Sequence, residues 1–365
     1  MQVLNKKRPY IIAEAGVNHN GSSDLAMKLI DAAVTAGANA VKFQTFKAVH
    51  LVTASAEKAL YQKQTTGKNE TQLTMLRKLE LSRETHFRLA EYCREKGIDF
   101  MSTAFDFDSL DFLVQNIGLT VLKIPSGEIT NAPFLLAHAR TGCDLIMSTG
   151  MATLGEVEMA LSVLAFGLIK ENVHTAPSLA AFQKAYCSVA GQRLLKEKTI
   201  LLHCTTEYPV SLEDINLRAM ETMSRAFGLR VGYSDHSEGF VVPIAAAALG
   251  ACIIEKHFTL DKSLEGPDHK ASLDPNELKE MVTTLQSVDQ IMGDGVKGPK
   301  LAEFGNRTVA RKSIVATRNI RKGDVFTQKD LTFKRPGTGL SPFCYWDVLG
   351  QKATRSYDRD EVVSG

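Results

Sequence analysis

No run of about eighteen apolar residues occurs in the 365-residue chain, which excludes a helix able to cross a membrane. The opening MQVLNKKRPY lacks the apolar stretch of a signal peptide, so the expectation is a cytoplasmic protein. Charge of either sign is also lacking in excess. With 43 basic and 41 acidic residues the formal net charge is +2, which leaves no broad basic field for nucleic acid or a membrane surface. A local phosphate site remains compatible with that balance. The six cysteines, at 93, 143, 187, 204, 252 and 344, show no CxxC spacing, and several sit inside apolar runs such as LLHCT and ACIIEKH. They read as reduced structural thiols. No GxGxxG follows the first strand-like run, which argues against an open dinucleotide-binding sheet.

What the chain does contain is a repeated alternation. Eight apolar or β-branched runs occur in order: YIIAEAG, NAVKFQT, DFMSTAF, VLKIPSGE, DLIMSTG, TILLHCT, LRVGYSD and ACIIEKHFT. Helical patterns separate them, such as SSDLAMKLIDAAVTAG, with Ser22 or Ser23 as N-cap and Gly37 as stop, and SRETHFRLAEYCREKG, running from Ser82 to Gly97. Eight strand–helix units predict an α/β protein with a (β/α)8 TIM barrel over residues 1–293. A linker follows at 294–306, and 307–365 read as a small domain too thin in hydrophobic residues to stand alone. Two stretches interrupt the rhythm. The polar KAVHLVTASAEKALYQKQTTGKNETQL after the second strand suits an active-site cover, and the segment around 171–197 reads as a surface insertion.

The C-terminal ends of barrel strands converge on one mouth, where such barrels do their chemistry. Here those ends are polar: Glu14, Lys42, Gln44, Lys123, Ser126, Glu128, Ser148, Thr149, His203, Thr205, Ser234, His236, Glu255 and His257. One or two such groups could be satisfied core residues, and His203 in LLHCT is the best example. A full ring of them inside apolar runs is hard to bury without a function. His236 and His257 could share a divalent metal through neutral imidazoles. Lys42, Lys123 and the hydroxyls of Ser126, Ser148 and Ser234 suit a small dianion. The rival reading makes Lys123 a Schiff-base lysine in a pyruvate aldolase or lyase.

The motifs IIAEAGVNHNG, AVKFQTFKA, KIPSGEI, STGMAT, LHCTTEYP, YSDHSEGF, IEKHFTLDKSLEGPDHKAS, ARKSI and KRPGTGL, in this order, resemble those of the sialic acid synthase family over nearly the whole chain. The resemblance implies a C-terminal antifreeze-like (SAF, β-clip) domain and a homodimer in which that domain of one chain covers the barrel mouth of the other. It implies condensation of phosphoenolpyruvate with N-acetylmannosamine and water, giving N-acetylneuraminate and phosphate. His236 and His257 match the metal ligands, for manganese, with magnesium or cobalt as alternatives. Lys42, Lys123, Ser126, Ser148 and Ser234 match the phosphoenolpyruvate site. Glu14 matches the catalytic carboxylate, with Gln44, Glu128 and Asp268 between metal and sugar. Thr206, Tyr208 and Arg335 fall at sugar contacts, Arg335 reaching across the dimer to the N-acyl group. At Thr206 one subgroup has Asn instead, and the Thr206–Glu207 pair is also similar to synthases of legionaminic acid, which use 2,4-diacetamido-2,4,6-trideoxymannose. An aldolase of the 3-deoxy-heptulosonate type would take a sugar phosphate and not need KRPGTGL. A non-enzymatic scaffold would leave the polar ring without a purpose.

Overall fold

The computed structural model describes residues 9–66 and 70–364. The N-terminal segment 1–8 and residues 67–69 of the expected cover lie outside the described residues. The chain divides into two compact units, Met1–Gly293 and Asp294–Gly365.

The first unit is a closed barrel of eight parallel strands in sequence order. They are β1 (Tyr10–Gly16), β2 (Ala40–Thr45), β3 (Asp99–Ala104), β4 (Val121–Ile124), β5 (Asp144–Ser148), β6 (Thr199–His203), β7 (Arg230–Asp235) and β8 (Ile253–His257). Each coincides with one of the apolar runs, because strands buried on both faces carry near-continuous hydrophobic sequence. The helix Ser23–Ala36 starts where Ser22 Oγ accepts from Leu25 N–H, and stops at Gly37, whose φ of 81° no L side chain adopts readily. Ser82 caps Arg83–Lys96 in the same way, against Thr85 N–H at 3.1 Å.

Alternation along the strands divides the barrel wall into two faces. Outward residues such as Ile11, Ala13, Val41, Phe43, Leu145 and Met147 join the helices in the main core. Inward residues near the strand starts, among them Tyr10, Ile12, Ala40, Met101, Ile146, Ile200, Leu202 and Ile253, fill the barrel floor. That floor is tight at Gly232, where an added Cβ would lie 2.6 Å from the Ile253 carbonyl oxygen and 2.7 Å from Leu202 Cδ2. Continuing along the same inward face, the strands turn polar, so the floor supports a charged layer above it.

The cover after β2 contains more order than a polar loop. Thr71 caps a helix at Gln72–Leu79 that buries Met75 and Leu79 against Val17 and Phe46. The segment around 171–197 forms helices at Leu179–Tyr186 and Val189–Lys198, and Phe182 packs edge-on against Phe166 of the preceding helix. No helix among the described residues is long and apolar enough to cross a membrane.

In the second unit β9 (Ser313–Ala316) pairs antiparallel with β10 (Leu331–Lys334) over a small core of its own, including Ile314, Ile320, Phe326, Leu331, Tyr357 and Val363. The stretch expected to be a linker contains a 3-10 turn at Leu301–Glu303 running into a helix at Phe304–Ala310.

Candidate active site

One cavity at the C-terminal ends of the strands is lined by Glu14, Lys42, Gln44, Lys123, Ser126, Ser148, Thr206, Tyr208, Ser234, His236, His257 and Asp268. These twelve residues come from six strands and from the loops after β4, β6, β7 and β8. They meet because each sits on the inward face at or beyond a strand's end.

The floor of the cavity is a charged network. Lys42 Nζ lies 2.7 Å from Glu14 Oε2 and 3.5 Å from Glu255 Oε2, and donates to Thr103 Oγ1 at 3.1 Å. Lys123 Nζ donates to Ser148 Oγ at 2.7 Å and lies 3.4 Å from Glu255 Oε1. Ser234 Oγ donates to the same Glu255 oxygen at 2.8 Å. Glu255 thus stands between the two lysines, all three side chains being buried. Burial drives the Glu14 carboxyl above the usual carboxylate range, against the opposing pull of Lys42. Burial acts on Glu255 in the same direction, but Lys123 and Lys42 outweigh it and hold that carboxyl below the usual range. Burial also lowers Lys123, whereas in Lys42 the two carboxylates overcome it and raise the ammonium's pKa. Two lysines therefore face two carboxylates, one held below the usual range and one raised above it. The lysine donors, with the hydroxyls beside them, suit the oxygens of a small anion.

The hydroxyls beside this network are fixed by close packing. Ser126 Oγ accepts from Gly150 N–H at 3.0 Å and lies 3.2 Å from Cys204 Sγ. An added Cβ at Gly150 would lie 2.2 Å from Thr206 Oγ1 and 2.8 Å from Ser126 Oγ, so only glycine lets both hydroxyls approach. Thr206 Oγ1 is buried without a hydrogen-bond partner.

His236 and His257 face each other with ring centroids 5.6 Å apart, and Tyr208 lies against His236 at 4.1 Å. His236 Nδ1–H donates to the Thr205 carbonyl at 2.6 Å, which leaves the Nε2 lone pair available. Burial pulls the His236 pKa down to about 4, and burial together with His236 lowers that of His257 well below its ordinary value. Both rings are neutral near pH 7. His257 Nδ1 is buried with no hydrogen-bond partner and lies 3.8 Å from Asp268 Oδ2, whose carboxyl burial pushes up to about 6. A pair of neutral imidazoles with an unpartnered ring nitrogen and a carboxylate alongside fits a divalent cation with open positions for substrate. Elsewhere among the described residues, His50, Asp106 and Asp108 also lie within mutual reach, but Asp106 is already bonded to Ser109 as a helix cap.

One expected residue falls elsewhere. Glu128 does not line the cavity: the chain has turned at Pro125 into a short 3-10 turn, and the Glu128 carboxylate accepts from Asn131 Nδ2 at 2.7 Å. Arg335 is exposed in the second unit, directly after β10. Sequence reasoning placed Glu255 on the polar ring but gave it no role, although its position two residues before His257 sets it on the same inward face. It also missed the apolar side of the cavity formed by Val17, Met75, Leu76, Leu79 and Phe105. The signal was present in Met75, Leu76 and Leu79, whose helical spacing follows a capping Thr71.

The NeuB family model matches residues 29–297 and the SAF domain model residues 311–365. An N,N'-diacetyllegionaminic acid synthase of Campylobacter jejuni is 46% identical over 98% of this chain and 99% of its own. One of Legionella pneumophila is also 46% identical, over 94% of this chain and 90% of its own. The crystal structure of an N-acetylneuraminic acid synthetase from Leptospira borgpetersenii, in complex with citrate, superposes with a TM-score of 0.65 at 34% identity, covering 82% of this chain and 90% of that one. With its barrel, its polar mouth and its C-terminal SAF domain, the chain belongs to the NeuB family.

Proposed function

We propose that the protein is a nonulosonic acid synthase that joins phosphoenolpyruvate to an N-acylated amino sugar, with water, giving an α-keto acid and inorganic phosphate. The observation that carries this reading is the pair of lysines sharing Glu255 directly beside two facing neutral imidazoles. Lys42 and Lys123, with Ser126, Ser148 and Ser234, hold the phosphate and carboxylate oxygens of phosphoenolpyruvate. A divalent cation held by His236 and His257, manganese in preference to magnesium or cobalt, would supply Lewis-acid polarisation of the open-chain sugar's aldehyde. C3 of phosphoenolpyruvate attacks C1 of the sugar, and positive charge develops at C2, where water adds. Glu14, whose carboxyl burial raises above the usual range, is assigned the proton transfer: it takes the proton released as water adds at C2 and passes it to the alkoxide oxygen left at C1. The bond between C2 and the bridging phosphate oxygen then breaks, the C2 hydroxyl gives up its proton to the departing phosphate as the ketone forms, and phosphate leaves against the lysines. The Schiff-base alternative fits less well, because Lys123 Nζ is bound to Ser148 and paired with Glu255.

The sugar is 2,4-diacetamido-2,4,6-trideoxymannose and the product N,N'-diacetyllegionaminic acid, in place of the expected N-acetylmannosamine and N-acetylneuraminate. Both 46% relatives carry that name. The apolar side of the cavity at Val17, Met75, Leu76, Leu79 and Phe105 also suits a sugar bearing a methyl at C6 and a second acetamido group. Thr206 and Tyr208 contact the sugar, and Arg335 of a partner subunit completes the site in a homodimer. The protein is offered manganese, phosphoenolpyruvate and the two sugars in parallel, with phosphate release and product masses recorded. Phosphate release with a preference for the diacetamido sugar is expected. A preference for N-acetylmannosamine would overturn the sugar assignment, and turnover of pyruvate without phosphate would overturn the reaction.

A further inference from the structure

Two rows of side chains tie β7 to β8, one on each face of the barrel wall. On the inner face Ser234 and Glu255 are register partners, joined at 2.8 Å. On the outer face the next register partners, Asp235 and Lys256, form an ion pair at 2.6 Å in which neither side chain has any solvent exposure. Ser237 closes this pair into a cluster. Its Oγ donates to Asp235 Oδ1 and Oδ2, both at 2.9 Å, its N–H donates to Oδ1 at 3.2 Å, and its carbonyl accepts from Lys256 Nζ. His236 is therefore bracketed, with the residue before it and the residue after it both fastened to Lys256. His257 directly follows Lys256, and its carbonyl accepts from Leu273 N–H at 3.0 Å on the far side. Neither Asp235 nor Lys256 lines the cavity.

A buried ion pair is a poor source of stability, because desolvation offsets its attraction and apolar replacements of equal volume are often as stable. What such a pair does fix is position. We propose that Asp235, Lys256 and Ser237 form a positioning device that sets the spacing and register of His236 and His257, and so the affinity of the site for a divalent cation. This rests on the reading of those imidazoles as metal ligands.

The test uses the full-length protein stripped of metal, with Mn2+ as the probe and its free-ion electron paramagnetic resonance signal as the readout. The double variant Asp235→Leu with Lys256→Met removes both charges at similar volume. It is expected to melt cooperatively and to keep the thermal shift caused by phosphoenolpyruvate, while its Mn2+ affinity falls by roughly tenfold or more, as for other groups that orient metal ligands. Unchanged Mn2+ affinity in the folded double variant overturns the proposal. If that variant does not fold, Ser237→Ala serves, since it opens the cluster while leaving the Asp235 and Lys256 charges paired. A severalfold loss of affinity is expected there, and none overturns the proposal. His236→Ala provides the control, with Mn2+ binding lost. Wild-type protein that takes up no Mn2+, Mg2+ or Co2+ would instead overturn the metal reading itself.

Discussion

Replacing Glu255 by Gln tests the charged floor of the site most sharply. The change keeps the shape and an acceptor for Ser234 Oγ, but removes the charge that lies 3.5 Å from Lys42 Nζ and 3.4 Å from Lys123 Nζ. At an effective dielectric of about 20, one such contact carries roughly 5 kcal/mol of Coulomb attraction. Much of it is offset by desolvation, and deleting one partner of a buried pair costs about 3–5 kcal/mol in practice. Lys42 retains Glu14 at 2.7 Å, so the loss falls mainly on Lys123, and the lower end, about 3 kcal/mol, is expected. For a barrel unit of 293 residues that corresponds to a fall in Tm of roughly 5 °C. Scanning calorimetry without ligand measures it. Adding phosphoenolpyruvate should then raise the variant's Tm by more than the wild type's, because the dianion supplies the negative charge the variant lacks. A variant that melts with the wild type and responds equally to phosphoenolpyruvate would mean that Glu255 does not balance the two lysines.

Three other outcomes follow from the same structure. Gly150→Ala places a methyl group 2.2 Å from Thr206 Oγ1 and 2.8 Å from Ser126 Oγ. The displacement should cost about 1–3 kcal/mol, seen as a loss of roughly 5- to 150-fold in kcat/KM at an unchanged fold by circular dichroism. Arg335→Ala should raise KM for the sugar and lower kcat while leaving phosphoenolpyruvate binding intact. Mixing it with His236→Ala under subunit exchange should restore activity, and no recovery in verified mixed dimers would refute action in trans. His138, wholly buried in the helix Ala132–Arg140, has its pKa pulled by burial from 6.5 down to about 4. The unfolded chain therefore binds the proton more readily, and stability present above pH 6.5 is lost as pH falls toward 4, by up to about 3 kcal/mol. Urea titrations across that range should show the slope, reduced in His138→Gln.

Much of this was legible in the sequence because a parallel barrel writes its strands as apolar runs and its mouth as the residues that end them. YIIAEAG coincides with β1 residue for residue. His236 and His257 could be paired without coordinates because both close such runs. Glu128 was misplaced for a physical reason: KIPSGE reads as continuous polar strand end, but Pro125 turns the chain out of β4 before Glu128 is reached. Partnership across strands was not legible. Nothing in EKH or SDH states that Lys256 meets Asp235 on the outside, or that Glu255 separates Lys42 from Lys123 on the inside; those facts depend on barrel closure and on the register of β7 against β8. The helix Gln72–Leu79 was hidden by the polar residues around it, and with it the apolar side of the cavity.

In the proposed reaction carbon, not phosphorus, is the centre attacked by water when phosphate leaves. Running the reaction in 18O-labelled water and resolving both products by mass spectrometry tests it directly. Label is expected at C2 of the α-keto acid, read before exchange with solvent, with unlabelled bridging oxygen in the released phosphate. Label in inorganic phosphate and none at C2 would contradict it.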